Sequence, residues 1–257
     1  MQSNPDKLNT HLNESLSFDL FISDLHLCAS RPEITKSFIQ FLNQTATKAR
    51  SLYVLGDLFE YWAGDDDTID EHNTEVIRAL HQASQTGVGI FVMHGNRDFL
   101  IGTDFCKAAG VTLLQDPTLL TLYNQRVLLS HGDDLCTDDV DYMQFKAQVR
   151  HPSWIHTFLS KPLAERKAFI ASIRARSELE KNVKSSEIMD VNAGAVNALL
   201  QTYQYPTLFI HGHTHRPDTH TITLDGHHVT RLVLGDWYEQ GSYLRLDANG
   251  FENVALI

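Results

Sequence analysis

Four histidines, two aspartates and one asparagine recur in a pattern suited to holding metal ions: Asp24-x-His26, Gly56-Asp57, Gly95-Asn96-Arg97-Asp98, His131 and Gly212-His213-x-His215. Their side chains offer oxygen and nitrogen donors. Residues two apart on an extended segment share a face, so Asp24 with His26, and His213 with His215, can each present two donors to one place. A carboxylate such as Asp57 can bridge two cations. Two cations roughly 3.5–4 Å apart can polarise a phosphoryl group, generate a nucleophile from water and stabilise the leaving oxygen. The chain has no Cys₄ or Cys₂His₂ spacing, so a structural zinc finger is not indicated. Each fragment alone is common: an Asp-x-His is often incidental, and a Gly-Asp after a strand is usually a turn. The ordered set is not common.

Positioning these residues requires strands. Phe18–Ser23, Leu52–Leu55, Gly89–Met93, Arg126–Ser130 and Thr207–Ile210 read as strands, and each is followed at once by metal-type residues, with a glycine among them in all but the first. In α/β folds the loops beyond the carboxyl ends of strands form the site, so five such loops should converge. Ile34–Ala49 has helical spacing (Ile34, Phe38, Phe41, Leu42, Thr45), and Thr74–Ala83 is a second helix candidate. Val229–Leu234, Ser242–Asp247 and Phe251–Leu256 read as late strands without intervening helices, which implies antiparallel pairing. The expectation is an α/β (α+β) fold, a mixed sheet or β-sandwich flanked by helices. A helical insertion covers about 138–200, interrupted by Pro152 and Pro162 and rich in Trp154, Ile155, Phe158, Leu159 and Phe169. Residues 1–17 are polar and read as a flexible tail, leaving 18–257 as the domain.

The chain has 257 residues, 42% of them hydrophobic, and a net charge of −11. Nucleic acid is therefore not the expected partner. Its three cysteines are widely spaced and read as reduced thiols in a cytoplasmic protein. Neither a secretory signal nor a membrane span is expected. The charge is uneven. Residues 144–184 hold nine basic and three acidic residues, a net +6, against −17 for the rest. Such a segment suggests an anionic partner.

The ordered blocks from residue 24 to 215 resemble the signature of calcineurin-like metallophosphoesterases, a β-sandwich flanked by helices with a dinuclear centre. The resemblance implies one metal site of Asp24, His26, Asp57 and His215, and a second of Asp57, Asn96, His131 and His213. Asp57 is then the bridge. His211 and His94 have structural roles in that reading. Many members carry histidine where this chain has Arg97. Arginine stays protonated and cannot serve as a proton donor, but it suits bidentate contact with phosphate oxygens. An alkoxide leaving group needs a proton and a phosphate does not, so Arg97 favours a pyrophosphate substrate.

More specific blocks are Ser23-Asp24-Leu25-His26-Leu27, Gly56-Asp57-Leu58-Phe59-Glu60, Gly64-Asp65-Asp66-Asp67, His94-Gly95-Asn96-Arg97-Asp98-Phe99, His131-Gly132-Asp133, Leu135-Cys136-Thr137-Asp138-Asp139, Ile188-Met189-Asp190-Val191-Asn192 and His211-Gly212-His213-Thr214-His215-Arg216-Pro217. Over about residues 18 to 245 they are similar to the UDP-2,3-diacylglucosamine diphosphatases of lipid A biosynthesis in Gram-negative bacteria. That family hydrolyses the pyrophosphate of its substrate by water attack on the α-phosphorus, giving UMP and 2,3-diacylglucosamine 1-phosphate. Two divalent ions, most commonly Mn²⁺, are its cofactors. It works as a peripheral protein on the cytoplasmic side of the inner membrane, and a monomer is expected.

The resemblance implies substrate contacts at Asn96, Arg97, Asp139, Ser177, Lys181, Lys184 and His213. Lys181 departs from the asparagine common in relatives. Tyr142 is a further candidate, and Trp62 reads as packing. The insertion would receive the acyl chains, with Arg150, Arg166, Lys167, Arg174 and Arg176 meeting anionic lipid. Two other readings compete. A different metallophosphoesterase would not need a lipid-sized apolar insertion, and a metal-free scaffold would have lost ligand positions.

Overall fold

The computed structural model describes residues 18–67, 70–181, 190–238 and 241–256, without the side chains at 176 and 178–181. The segment 1–17 and Lys184 lie outside the described residues, as does the side chain of Lys181.

Two sheets face one another. The first has strands β1 (Phe18–Ile22), β2 (Ser51–Leu55), β3 (Gly89–Met93), β4 (Thr112–Leu114), β10 (Ser242–Asp247) and β11 (Gly250–Ala255), in the order β11-β10-β1-β2-β3-β4. The second has β5 (Thr118–Leu122), β6 (Gln125–Ser130), β7 (Leu208–His211), β8 (Asp218–Leu224) and β9 (His227–Val233), in the order β5-β6-β7-β9-β8. Strands β1 to β4 run parallel, as do β6, β7 and β9, and the late strands add antiparallel edges.

Alternation explains the layering. Leu20 and Ile22 of β1 point into one core and Phe21 into another. Leu52 and Val54 of β2 likewise oppose Tyr53 and Leu55. Strands buried on both faces read as continuous apolar runs, which is why these were legible. The core between the sheets includes Phe21, Leu55, Met93, Leu129, Ile210 and Leu244. On the outside of the first sheet lie α1 (Pro32–Gln44), α2 (Glu71–Ser84) and α3 (Thr103–Ala109). On the outside of the second, α7 (Ala193–Thr202) packs through Val196 and Leu200 against Leu128, Phe209 and Val229. The result is the expected β-sandwich flanked by helices.

Between β6 and α7 the chain forms α4 (Val140–Val149), α5 (Pro152–Leu159) and α6 (Leu163–Lys181). Their attachment gives the Gly64-Asp65-Asp66-Asp67 motif its role. Asp65 accepts hydrogen bonds from the N–H groups of Gly102, Asp104 and Phe105, capping α3, and from Trp62 Nε1. Asp66 pairs with Arg166, and Asp67 with Lys167, both on α6. Arg166 is 1% exposed and also donates to the carbonyls of Ala63 and Lys161. Arg166→Met should therefore destabilise by about 1–3 kcal/mol, because the buried Ala63 carbonyl loses its donor and Asp66 its partner. A urea melt measures the loss, and hydrogen exchange should localise it to α5 and α6. Unchanged protection there would refute the clamp.

Two sequence expectations are corrected. The helix expected over 34–49 ends at Gln44, and a separate 3-10 turn (Ala46–Lys48) carries the chain into β2. Four of the basic residues expected to meet lipid are paired within the protein instead, and the side chain of the fifth, Arg176, lies outside the described residues. Arg150 donates to the Gly95 carbonyl, while Arg166, Lys167 and Arg174 pair with Asp66, Asp67 and Glu60. Their charge offsets carboxylates of the body.

Candidate metal centre

Strands β1, β2, β3, β6 and β7 each end in a loop that delivers donors to one cleft. In one group, His26 Nε2 and His215 Nε2 lie 3.2 Å apart. Asp24 Oδ1 is 3.3 Å from His215 Nε2 and 3.9 Å from His26 Nε2. In the other, Asn96 Oδ1 lies 3.2 Å from His131 Nε2 and 3.1 Å from His213 Nδ1. Asp57 Oδ2 sits between them, 3.9 Å from His26 Nδ1 and 3.8 Å from His131 Nε2. Donors of Asp24, His26 and His215 gather within 4.8 Å of one another, as do those of Asp24, Asp57 and His131.

The backbone is strained to achieve this. Asp24, His26, Asp57, His213 and His215 all have positive φ, between 50° and 69°. Such conformations are uncommon outside glycine and cluster at functional sites. Close approach also demands two glycines. A Cβ on Gly95 would lie 2.0 Å from Asp57 Oδ1, and one on Gly212 would lie 1.9 Å from Ser23 Oγ.

The second atom of most donors is fixed by protein. His131 Nδ1 pairs with the Leu55 carbonyl at 2.9 Å. Asp57 Oδ1 accepts from the Arg97 N–H at 2.8 Å, and Asp24 Oδ2 from the His213 N–H at 2.8 Å. His215 Nδ1 lies 3.0 Å from Asp236 Oδ2. Such partners set the tautomer and aim the other nitrogen inward. Asp24 Oδ1 is buried and makes no hydrogen bond, an atom that a cation would satisfy.

Electrostatics agree. Burial pushes the Asp57 carboxyl up to about 7, with Asp98 and Asp24 adding repulsion against the pull of His131. Asp24 is buried too, but His215, His131 and His26 beside it hold it far below the usual range. Burial opposes charge on His131 and His215. Asp57 and Asp133 outweigh it at His131, and Asp236 and Asp24 at His215, and both rise to about 9. Burial takes His213 down to about 3. The centre attracts positive charge, and its donor set fits two divalent ions.

Arg97 enters the cleft, and its guanidinium lies 3.2 Å from Glu60 Oε1. Glu60 also pairs with Arg31 and Arg174. Opposite, Asp133 is buried and accepts from Tyr142 Oη at 2.6 Å and Lys146 Nζ at 2.8 Å. Tyr142 stacks 6.2 Å from the His213 ring. Asp139 caps α4 through the Tyr142 N–H. Ser177 lies on α6, three residues beyond Arg174. His94 bonds the Ile101 carbonyl, and His211 lies against Gly212 and Arg231.

Sequence reasoning overlooked Asp236, Tyr238, Glu60 and Asp133. For Asp236 the signal was present: Gly235-Asp236 follows a strand, like the other site loops. Asp133 carried the same mark in His131-Gly132-Asp133, and Glu60 stood in the Gly56–Glu60 block without a role assigned to it; Tyr238 had no such mark.

A double sheet flanked by helices, with seven oxygen and nitrogen donors at its strand ends, defines a phosphoesterase. The sequence profile of the calcineurin-like phosphoesterase family matches residues 20–217, and the chain belongs to that family. Within it, the chain is 52% identical to the UDP-2,3-diacylglucosamine hydrolase of Aromatoleum aromaticum, over 90% of this chain and 94% of the relative. It is 48% identical to the protein of that name from Cellvibrio japonicus, over 90% and 95%. It is 50% identical to that of Aeromonas salmonicida, over 88% of each.

Proposed function

We propose that this protein hydrolyses the pyrophosphate of UDP-2,3-diacylglucosamine in lipid A biosynthesis, with water attacking the α-phosphorus to give UMP and 2,3-diacylglucosamine 1-phosphate. The observation that carries the reading is the complete donor set in one cleft, in a chain about half identical to proteins of that name over nine-tenths of its length. Asp24, His26, Asp57 and His215 hold one ion, and Asp57, Asn96, His131 and His213 the other, with Mn²⁺ the expected metal. Two such ions supply Lewis-acid stabilisation and activation of water.

The chain's own residues do the rest. Arg97 sits at the cleft edge, where its fork suits the phosphate oxygens. It donates no proton, and the departing sugar phosphate needs none. Asn96, His213, Asp139, Ser177, Lys181 and Lys184 are assigned to the sugar and its phosphate.

The helical tract 138–200 acts as the cap over the acyl chains. Trp154, Phe158 and Phe169 form an aromatic cluster there. Among the described residues no helix is long and apolar enough to cross a membrane. In this reading the protein is a monomer that meets the cytoplasmic side of the inner membrane peripherally. Contact rests on exposed Val140, Phe145, Leu159 and Phe169 rather than on the inward-paired cations.

Incubation with UDP-2,3-diacylglucosamine and Mn²⁺, followed by mass analysis, tests the reaction. In ¹⁸O-water the label should appear in UMP. Label in the lipid 1-phosphate would reverse the direction of attack.

A further inference from the structure

The two flanks of the centre differ. On the His213 side, α4 closes against the donors: Tyr142 stacks on the His213 ring and is tied to buried Asp133. On the His26 side the cleft opens into a cavity of about 620 Å³, lined by residues that include Cys28, Ala29, Arg31, Glu60, Arg174 and Tyr238, with Arg97 at its wall. That volume lies within the range of about 300–1,000 Å³ typical of ligand pockets.

The chemistry of the cavity is specific. Three guanidinium groups, from α6 and from two loops, converge on one buried carboxylate. The group carries a net charge of about +2, since arginine stays protonated. Glu60 Oε2 is also 3.8 Å from His26 Nδ1, so the arginines adjoin the metal donors. Tyr238 lies parallel to the His26 ring, with centroids 5.1 Å apart, and Arg31 lies over Tyr238 at 4.4 Å. The guanidinium, its side chain one-third exposed, extends this aromatic ledge into the cavity and offers a flat face for stacking. An anion next to a planar ring is the chemistry such a pocket recognises.

Resting on the substrate reading above, we propose that this cavity binds the nucleoside monophosphate half of the substrate, its phosphate toward Arg97 and its base along Arg31 and Tyr238. Glu60 holds the three arginines in place as their internal counter-ion. The polar, half-open cavity then receives the water-soluble product, and the aromatic cap takes the acylated half. Neither end needs to pass the other.

The test is UMP binding to the metal-loaded enzyme by calorimetry, with 2,3-diacylglucosamine 1-phosphate as the second ligand. Ala29→Trp fills the cavity from an exposed loop, and Arg31→Met removes the cation and the stacking face. Each should weaken UMP by at least about tenfold, the scale of a charge-assisted contact. Affinity for the acylated sugar phosphate should stay within about twofold. Metal content, measured on each variant, should stay at the wild-type value. UMP affinity unchanged in both variants, or equal losses for both ligands, would overturn the assignment. The binding readout does not depend on turnover. Failure to cleave the UDP-lipid would count against the proposed function and leave the pocket to be judged on UMP alone.

Discussion

Asp57→Ala should lower turnover by at least about a thousandfold, the rate equivalent of the several kcal/mol that a metal pair contributes to a phosphoryl transition state. Asp57 faces a donor of each group, its Oδ2 within 3.9 Å of His26 and 3.8 Å of His131. Its other oxygen receives the Arg97 N–H, so truncation also frees the loop that carries Asn96 and Arg97. The loss should therefore appear in kcat and in metal content together, measured by steady-state kinetics and elemental analysis. Asn96→Ala removes a donor from one group alone and should cost less of both. Asp104→Ala is a control, since that carboxylate is exposed on α3 and pairs, among the described residues, with Lys107. Near-normal metal-dependent activity in Asp57→Ala would refute the bridging role.

What made this centre legible was repetition. Five strand carboxyl ends carry donors in the loops that follow them, so the order of blocks alone implies convergence. Strands buried on both faces, such as β1 and β2, announced themselves as apolar runs. The elements that escaped lack such marks. Strand β8 is an edge with alternate residues exposed and a polar sequence, Asp218-Thr219-His220-Thr221. Helix α3 spans seven residues, too few to establish a period, and takes its cap from Asp65, about forty positions earlier.

The charge pattern misled for a related reason. A +6 segment in an acidic chain looked like a surface for anionic lipid, but sequence does not say which carboxylate a cation will meet. Among the described side chains, Asp66, Asp67, Glu60 and Asp133 pair with Arg166, Lys167, Arg174 and Lys146 from across the fold. Long-range pairing of this kind is settled by topology, and it also decides which of the arginines reach the cleft.

Removing the acyl chains should cost even more than most point substitutions. A nucleotide sugar such as UDP-glucosamine keeps the pyrophosphate, so every donor and Arg97 can still engage it. It lacks the groups that the cap would shelter. Burial of a methylene contributes about 0.8 kcal/mol, so six methylenes held by the cap would amount to about 5 kcal/mol. At 1.36 kcal/mol per decade that corresponds to about three and a half orders of magnitude in kcat/KM. Part of that gain is offset by ordering the chains, so a loss of at least about a hundredfold is expected. The aromatic cluster locates the effect. Trp154 and Phe158 stack with centroids 4.6 Å apart, and Phe169 meets Phe158 at 5.4 Å. Phe169→Asp, on the exposed edge of that cluster, should lower kcat/KM for the acylated substrate and leave the small deacylated one within about twofold, because a charge opposes apolar burial without touching the metal donors. Equal kcat/KM for the two substrates in the wild-type enzyme would remove the cap from lipid recognition and leave a general nucleotide-sugar pyrophosphatase.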